Sequence, residues 1–345
     1  MSEIDIRVEG RAGRITLNRP AALNALSYQM ALAIDEALQD WRDDAEVELV
    51  LIDAAGDRAF CAGGDIAELY AEGRKGNFAF GQRFWRDEYR MNDRIAEYEK
   101  PVVSFIQGFC MGGGVGVACH ASHRIVGETA QVAMPECGIG LVPDVGGSYL
   151  LASAPGHLGA WLGLTGSRMG PADAILATFA DSYVPEANWD GLKASLIETG
   201  DPTRIARFVR PMPEGRLAAL LPQIDAAFAT GSLPEIIARL EASGTPFTEE
   251  TLKALGRASP LAAATALEMQ RRLKPAPDLR AALDLEYRVT FRAQQDTDFL
   301  EGIRAAIIDK DRQPKWRHAG PEAVSGAEVE ALLSPLGQDA LTFED

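Results

Sequence analysis

The chain has no cysteine pair at redox or metal spacing, no long apolar run and no excess of positive charge. Its four cysteines, Cys61, Cys110, Cys119 and Cys137, stand apart in apolar or glycine-rich surroundings, which excludes a disulfide framework and a Cys-x-x-Cys site. With no His partner apparent for any of them, they read as reduced, buried thiols that pack as small apolar residues rather than as nucleophiles. No apolar run approaches a membrane span. The opening Ile4-Asp5-Ile6-Arg7-Val8 alternates like a strand and resembles neither a signal peptide nor an Arg-rich presequence. Together these features predict a cytoplasmic protein. With 50 acidic against 34 basic residues the net charge is −16, which argues against nucleic acid and membranes as partners.

Chemistry-bearing motifs are missing as well. No Gly-x-x-x-x-Gly-Lys-Ser/Thr loop and no Gly-x-Gly-x-x-Gly turn occurs, so a nucleotide-phosphate cradle is not predicted. The Gly-x-Ser-x-Gly elbow of serine hydrolases is absent too. Of four histidines, His120 and His123 have the spacing for a shared metal, but no third ligand suggests itself and a helix end is expected between them. No metal is expected.

What the chain does contain is a carboxylate pair in an apolar setting. Met134-Pro135-Glu136-Cys137-Gly138-Ile139-Gly140-Leu141-Val142-Pro143-Asp144-Val145-Gly146-Gly147 sets Glu136 and Asp144 eight positions apart among apolar residues, Gly and Pro. Carboxylates are expensive to bury unless paired, hydrogen-bonded or used, and two together are raw material for acid–base or nucleophilic chemistry. A plainer reading exists: Glu136 can cap a turn, and Asp144 can be the N-cap of a helix entering at Ser148.

Two upstream glycine loops shift the balance toward chemistry. Ala59-Phe60-Cys61-Ala62-Gly63-Gly64-Asp65 follows the apolar strand Val47–Ile52 and opens a helix near Asp65. Gly108-Phe109-Cys110-Met111-Gly112-Gly113-Gly114-Val115-Gly116 follows the strand Pro101–Ile106 and leads into Val117-Ala118-Cys119. A strand–glycine–helix junction leaves backbone N–H groups unpaired at the positive end of a helix and lets a ligand approach them closely. Two such groups aimed at one oxygen form an oxyanion hole.

Strand and helix patterns alternate to about Val184, as stacked βαβ-type units require. A hairpin turns around Gly10 to Gly13, and a helix follows from about Ser27 with Leu26, Met30, Ile34, Leu38 and Trp41 at helical spacing. Beyond Pro185 only helices are predicted, over 218–228, 233–240, 248–255, 260–273, 279–294 and a short one at 329–333. The organisation expected is an α/β core over 1–184 that carries the active site, then a helical C-terminal region over 185–345.

The order Asn18-Arg19-Pro20…Leu23-Asn24-Ala25-Leu26, Phe60–Asp65, Gly112-Gly113-Gly114 and Pro135-Glu136 with Gly140 resembles the crotonase (enoyl-CoA hydratase/isomerase) superfamily. Within it, Pro143-Asp144-Val145-Gly146-Gly147, Leu164-Thr165-Gly166, Leu285-Glu286-Tyr287-Arg288 and the stretch Glu301-Gly302-Ile303-Arg304…Trp316 resemble the 3-hydroxyisobutyryl-CoA hydrolase branch. The similarity spans nearly the whole chain. It implies a crotonase-like fold of stacked ββα units and hydrolysis of a short 3-hydroxyacyl-CoA thioester, as in valine breakdown. Coenzyme A is then part of the substrate, with no separate cofactor.

By the same resemblance, the N–H groups of Gly64 and Gly113 hold the thioester oxygen, Glu136 is nucleophile or general base, and Asp144 is the second acid. Glu88, Asn24, Ala25, Ala62 and Asp65 fall at substrate-binding positions. Read by itself, Glu88 could equally be a solvated charge on a charge-rich helix. Gly116 stands where hydratases carry their other catalytic Glu, which speaks against water addition to a double bond. The resemblance leaves a homo-oligomer open, since superfamily members often form trimers. The phosphates of a CoA ligand, in so acidic a chain, require a local basic patch that the sequence does not locate.

Overall fold

The computed structural model describes residues 2–229 and 231–343. Its strands are β1 (Ile4–Glu9), β2 (Ala12–Leu17), β3 (Leu49–Ala54), β4 (Ala59–Cys61), β5 (Val102–Ile106), β6 (Phe109–Met111), β7 (His123–Val126), β8 (Gln131–Ala133) and β9 (Ser182–Tyr183). They form a six-stranded sheet in the order β1-β2-β3-β5-β7-β9 and a three-stranded sheet in the order β4-β6-β8. Only the β1–β2 hairpin is antiparallel; the other pairs are parallel.

The sequence explains this layout. Leu49-Val50-Leu51-Ile52 and Val102-Val103-Ser104-Phe105-Ile106 are continuous buried runs, the pattern of parallel strands covered on both faces. In three successive repeats (β3–β4, β5–β6, β7–β8) the first strand joins the large sheet and the second turns the corner into the small one. Gly108 makes one such corner: its φ is +53°, and a Cβ there would lie 2.2 Å from the Arg58 carbonyl oxygen. The helix Trp189–Thr199 covers the large sheet, burying Trp189, Leu192 and Leu196 against Leu49, Leu51, Val103, Phe105 and Ile125. The helix Tyr28–Arg42 begins as its sequence suggests, with Ser27 as N-cap accepting the Met30 N–H at 3.3 Å.

Among the described residues the last strand ends at Tyr183 and the elements that follow are helices, close to the expected change of character at 184. The compact units, however, interleave along the chain instead of dividing there. An α/β unit comprises Met1–Gly64, Asp87–Ala133 and Arg168–Arg216; a helical unit comprises Asp65–Arg86, Met134–Ser167 and Leu217–Asp345. The expected active-site segment at 134–147 therefore belongs to the helical unit, not to the α/β core. The reason is what it packs against. A Cβ on Gly140 would lie 2.6 Å from the Asp298 backbone, and one on Gly302 would lie 2.1 Å from the Ile139 oxygen, so the late helix Phe299–Ile303 sits directly on this segment.

Candidate active site

In the α/β unit the two glycine loops come together. A Cβ placed on Gly113 would lie 3.1 Å from the Gly64 nitrogen and 3.0 Å from Glu88 Oε1, so Gly64, Gly113 and Glu88 border one small space. Gly113 is the first residue of the short helix Gly113–Ala118, where an N–H has no intrahelical acceptor. Among the described residues neither the Gly64 nor the Gly113 N–H meets a backbone acceptor. Gly114 serves packing instead, since a Cβ there would come 2.3 Å from the Cys61 oxygen.

The first loop is strapped down by the segment before it. Leu26 N–H donates to Gly63 O at 2.9 Å, and Ala62 N–H donates to Leu23 O at 3.0 Å. Asn24 is 1% exposed with φ +54°. Its carboxamide accepts the Arg19 N–H at 2.8 Å and donates to Ala55 O and Ala59 O at 2.9 Å each. That side chain is committed to the backbone and shapes the loop, which leaves the main chain of Asn24 for the substrate contact expected there. Ala25 O accepts Arg19 Nη1 at 2.8 Å, and Asp65 is the N-cap of the helix Ile66–Arg74 without a side-chain capping bond.

Glu88 is 4% exposed, which rules out the solvated-face reading. One helical turn on, Asn92 is fully buried and neither atom of its amide makes a hydrogen bond among the described residues. Sequence reasoning missed Asn92, although i, i+4 spacing from Glu88 puts both on one face of the helix Phe78–Ala96. The helix Gly113–Ala118 ends before both His120 and His123, with His123 opening β7. Burial pushes the Cys61 thiol up to about 12 and raises Cys110 and Cys137 as well, so none of the three forms a thiolate nucleophile near neutral pH.

In the helical unit Glu136 starts the one-turn helix Glu136–Ile139, and it and Asp144 are each 5% exposed. Glu136 Oε2 is buried with no hydrogen-bond partner among the described residues. Burial, and then the charges of Asp144 and Glu286, raise the Glu136 carboxyl well above the ordinary carboxylate range. Its turn is gripped from the C-terminal helices: Ser259 N–H donates to Cys137 O at 2.9 Å, and Ser259 Oγ donates to Asp298 Oδ2 at 2.6 Å.

Asp144 does not cap the following helix, as one reading of its sequence expected. The N-cap of the helix Gly147–Ser153 is Gly146, which has no side chain to offer. Its amides are taken by Glu286, which is 0% exposed on the helix Leu279–Asp296 and accepts Gly146 N–H at 2.7 Å and Ser148 N–H at 2.9 Å. Glu286 is the second residue that sequence reasoning passed over as a site group, since only its membership of a marker stretch pointed to it.

A profile of the enoyl-CoA hydratase/isomerase family matches residues 12–333. The chain belongs to that family. The 3-hydroxyisobutyryl-CoA hydrolase, mitochondrial, of Danio rerio is 37% identical over 98% of this chain and 91% of its own length. Among solved structures, an enoyl-CoA hydratase from Rhodobacter sphaeroides is 63% identical with a TM-score of 0.95, covering 99% of this chain and 100% of its own. A carnitinyl-CoA dehydratase from Mycobacterium thermoresistibile is 41% identical with a TM-score of 0.95, covering 100% and 99%. The crotonase fold expected from the resemblance is therefore the fold of this chain.

Gly116, which the resemblance aligns with the other catalytic Glu of hydratases, is buried within the helix Gly113–Ala118. The Danio relative's name places it in mitochondria and lends the cytoplasmic expectation no support. No helix among the described residues is long and apolar enough to cross a membrane.

Proposed function

We propose that this crotonase-family chain is an acyl-CoA thioester hydrolase acting on a short 3-hydroxyacyl-CoA, foremost 3-hydroxyisobutyryl-CoA, with 3-hydroxyisobutyrate and free coenzyme A as products. That substrate comes from the names of relatives 35–37% identical over nearly the whole chain and fits a place in valine breakdown. The observation that supports the reaction type is the buried acid Glu136, whose Oε2 meets no hydrogen-bond partner among the described residues, combined with Gly116 where the resemblance would put a hydratase's other catalytic Glu. Water addition across a double bond needs two carboxylates flanking it; thioester cleavage needs one base or nucleophile and a polarised carbonyl.

The roles follow from chemistry. The N–H groups of Gly64 and Gly113 receive the carbonyl oxygen as it gains negative charge. Glu136, ionised, either attacks the carbonyl carbon and expels the CoA thiolate, giving a mixed anhydride that water opens, or takes a proton from the water that attacks directly. Asp144 orients that water or Glu136. The thiolate leaves with a proton. Glu88, Ala25, Ala62 and Asp65 contact the substrate.

The titles of the two solved relatives favour a second reading, an enoyl-CoA hydratase or dehydratase on the same fold. One acyl-CoA panel separates them when free thiol and enoyl absorbance are followed together. Thiol release from 3-hydroxyisobutyryl-CoA with negligible hydration of crotonyl-CoA is expected. Hydration of crotonyl-CoA at the rate of thioester cleavage, or faster, reverses the assignment.

A further inference from the structure

The turn that presents Asp144 is not one its own sequence prefers. Asp144 O accepts the Gly147 N–H at 2.7 Å, and the two residues between have φ of +54° (Val145) and +76° (Gly146). Positive φ at both central positions is the geometry of a type I′ turn, which favours Asn-Gly or Gly-Gly. Here the first position holds a valine, 1% exposed, and a β-branched residue in the left-handed region is a genuine outlier. Such a conformation persists only when its surroundings enforce it.

The enforcing groups come from far along the chain. Glu286 Oε2 accepts the Gly146 N–H at 2.7 Å, while Oε1 accepts the Ser148 N–H at 2.9 Å and the Ser148 hydroxyl at 2.5 Å. From the helix Pro260–Leu273, Gln270 Nε2 donates to Ser148 O at 3.0 Å. A buried carboxylate is a costly means of satisfying two helix N-terminal amides, and the local acid Asp144 stands two residues away from the N-cap. Glu286 thus takes one amide inside the strained turn, that of Gly146, and one just past it, that of Ser148.

We propose that Glu286 is a positioning residue of the hydrolase: by holding the Asp144–Gly147 turn in its left-handed form, it sets the direction of the Asp144 carboxylate for the reaction. This rests on the thioesterase reading above. The charge of Glu286 also contributes to the raised Glu136 pKa, after burial and Asp144.

The test uses the full chain with Glu286→Gln, which keeps the shape but turns an amide N–H2 toward a backbone donor. With circular dichroism unchanged, kcat for 3-hydroxyisobutyryl-CoA should fall about tenfold or more while KM stays within about threefold. Amide hydrogen exchange across 144–149 should quicken. Adding Val145→Gly, which adopts positive φ without support, should restore at least about threefold of the lost kcat relative to Glu286→Gln alone.

A kcat within about twofold of wild type with unchanged exchange overturns the proposal. So does a loss of kcat that Val145→Gly leaves untouched, because a role in folding alone would not respond to the turn. Should Glu286→Gln fail to fold, Ser148→Ala removes one donor and keeps both N–H groups. About a threefold fall in kcat at constant KM is then expected, and unchanged kcat overturns the proposal. If the wild-type chain releases no thiol from any acyl-CoA, the hydrolase reading has failed. The exchange comparison then decides by itself whether Glu286 holds the turn.

Discussion

Two buried acidic centres of this chain titrate in opposite directions. In the α/β unit Asp53 is 2% exposed and accepts Lys193 Nζ, Arg14 Nη2 and Thr16 Oγ1, each at 2.7 Å. Burial pushes its carboxyl up, but Lys193 first, then Thr16 and Arg14, bring it below the usual carboxylate range. Lys193 is itself seated over the rings of Phe105 and Trp189, at 4.8 and 5.6 Å. In the helical unit Glu136 and Glu286 are as deeply buried, yet no cation pairs with either among the described residues. Burial drives both up, Glu286 to about 8 even though Ser148 and Gly146 donate to it. Equal burial, opposite outcome: a carboxylate closed off by cations is structural, and one left with a bare oxygen is poised to exchange a proton.

Replacing the acid that has the bare oxygen should have the largest effect. Glu136→Gln is expected to cut thiol release by about 10²–10⁴, measured as kcat/KM on 3-hydroxyisobutyryl-CoA with the fold intact by circular dichroism. Activity within tenfold of wild type would remove Glu136 from the chemistry. Next comes the amide pair. Gly113→Ala drives a Cβ to 3.0 Å from Glu88 Oε1 and 3.1 Å from the Gly64 nitrogen, so kcat should fall by about 10²–10³ with little loss of stability.

The structural acid should respond in stability rather than rate. Asp53→Asn removes the carboxylate shared by the part-buried Lys193 and Arg14, of which Arg14 keeps Glu9, and should cost about 1–3 kcal/mol in urea unfolding. In the wild type, the Asp53 contribution is present above the ordinary Asp pKa of 3.8 and is lost as pH falls through its lower folded value. Glu136 works the other way. Its folded pKa is raised, so the native state binds more protons and loses stability as pH rises from the ordinary Glu value of 4.5 through the folded one. Glu136→Gln should therefore raise Tm by a few degrees at neutral pH, and the gain should vanish below about pH 4. Equal Tm for the two proteins at neutral pH would mean that Glu136 carries no burial penalty. Smallest is the pH profile: if ionised Glu136 reacts, kcat/KM should rise with pH through a limb above the ordinary carboxylate range, and an acid limb near 4.5 would contradict the raised pKa.

Much of this was legible because it is local. The apolar runs of β3 and β5, the glycine junctions at 63–64 and 112–114, and the helix Pro260–Leu273 each follow from propensity and spacing within a dozen residues. Gly116 in place of an acid could also be read directly. The commitment of the Asn24 side chain could not be read, because a buried Asn that ties its own segment to the β3–β4 connection has the same one-letter signature as one that meets a ligand. Asp144 looked like an N-cap because Asp-x-Gly-Gly before a helix is a strong local signal, and here a residue distant in sequence overrides it.

The sequence by itself determined that this chain builds parallel strands broken by amide-rich glycine loops, that two acids lie in an apolar stretch, and that residue 116 is a glycine. Only the tertiary structure decided which polar groups are committed and which remain for chemistry. It assigned the amides at 146 and 148 to Glu286, some 140 residues away, and the acid segment to the helical unit. Hydrogen bonds and burial across such separations leave no periodicity for a linear pattern to reveal. They exist only once packing has excluded water and most enclosed donors have found an acceptor within the protein.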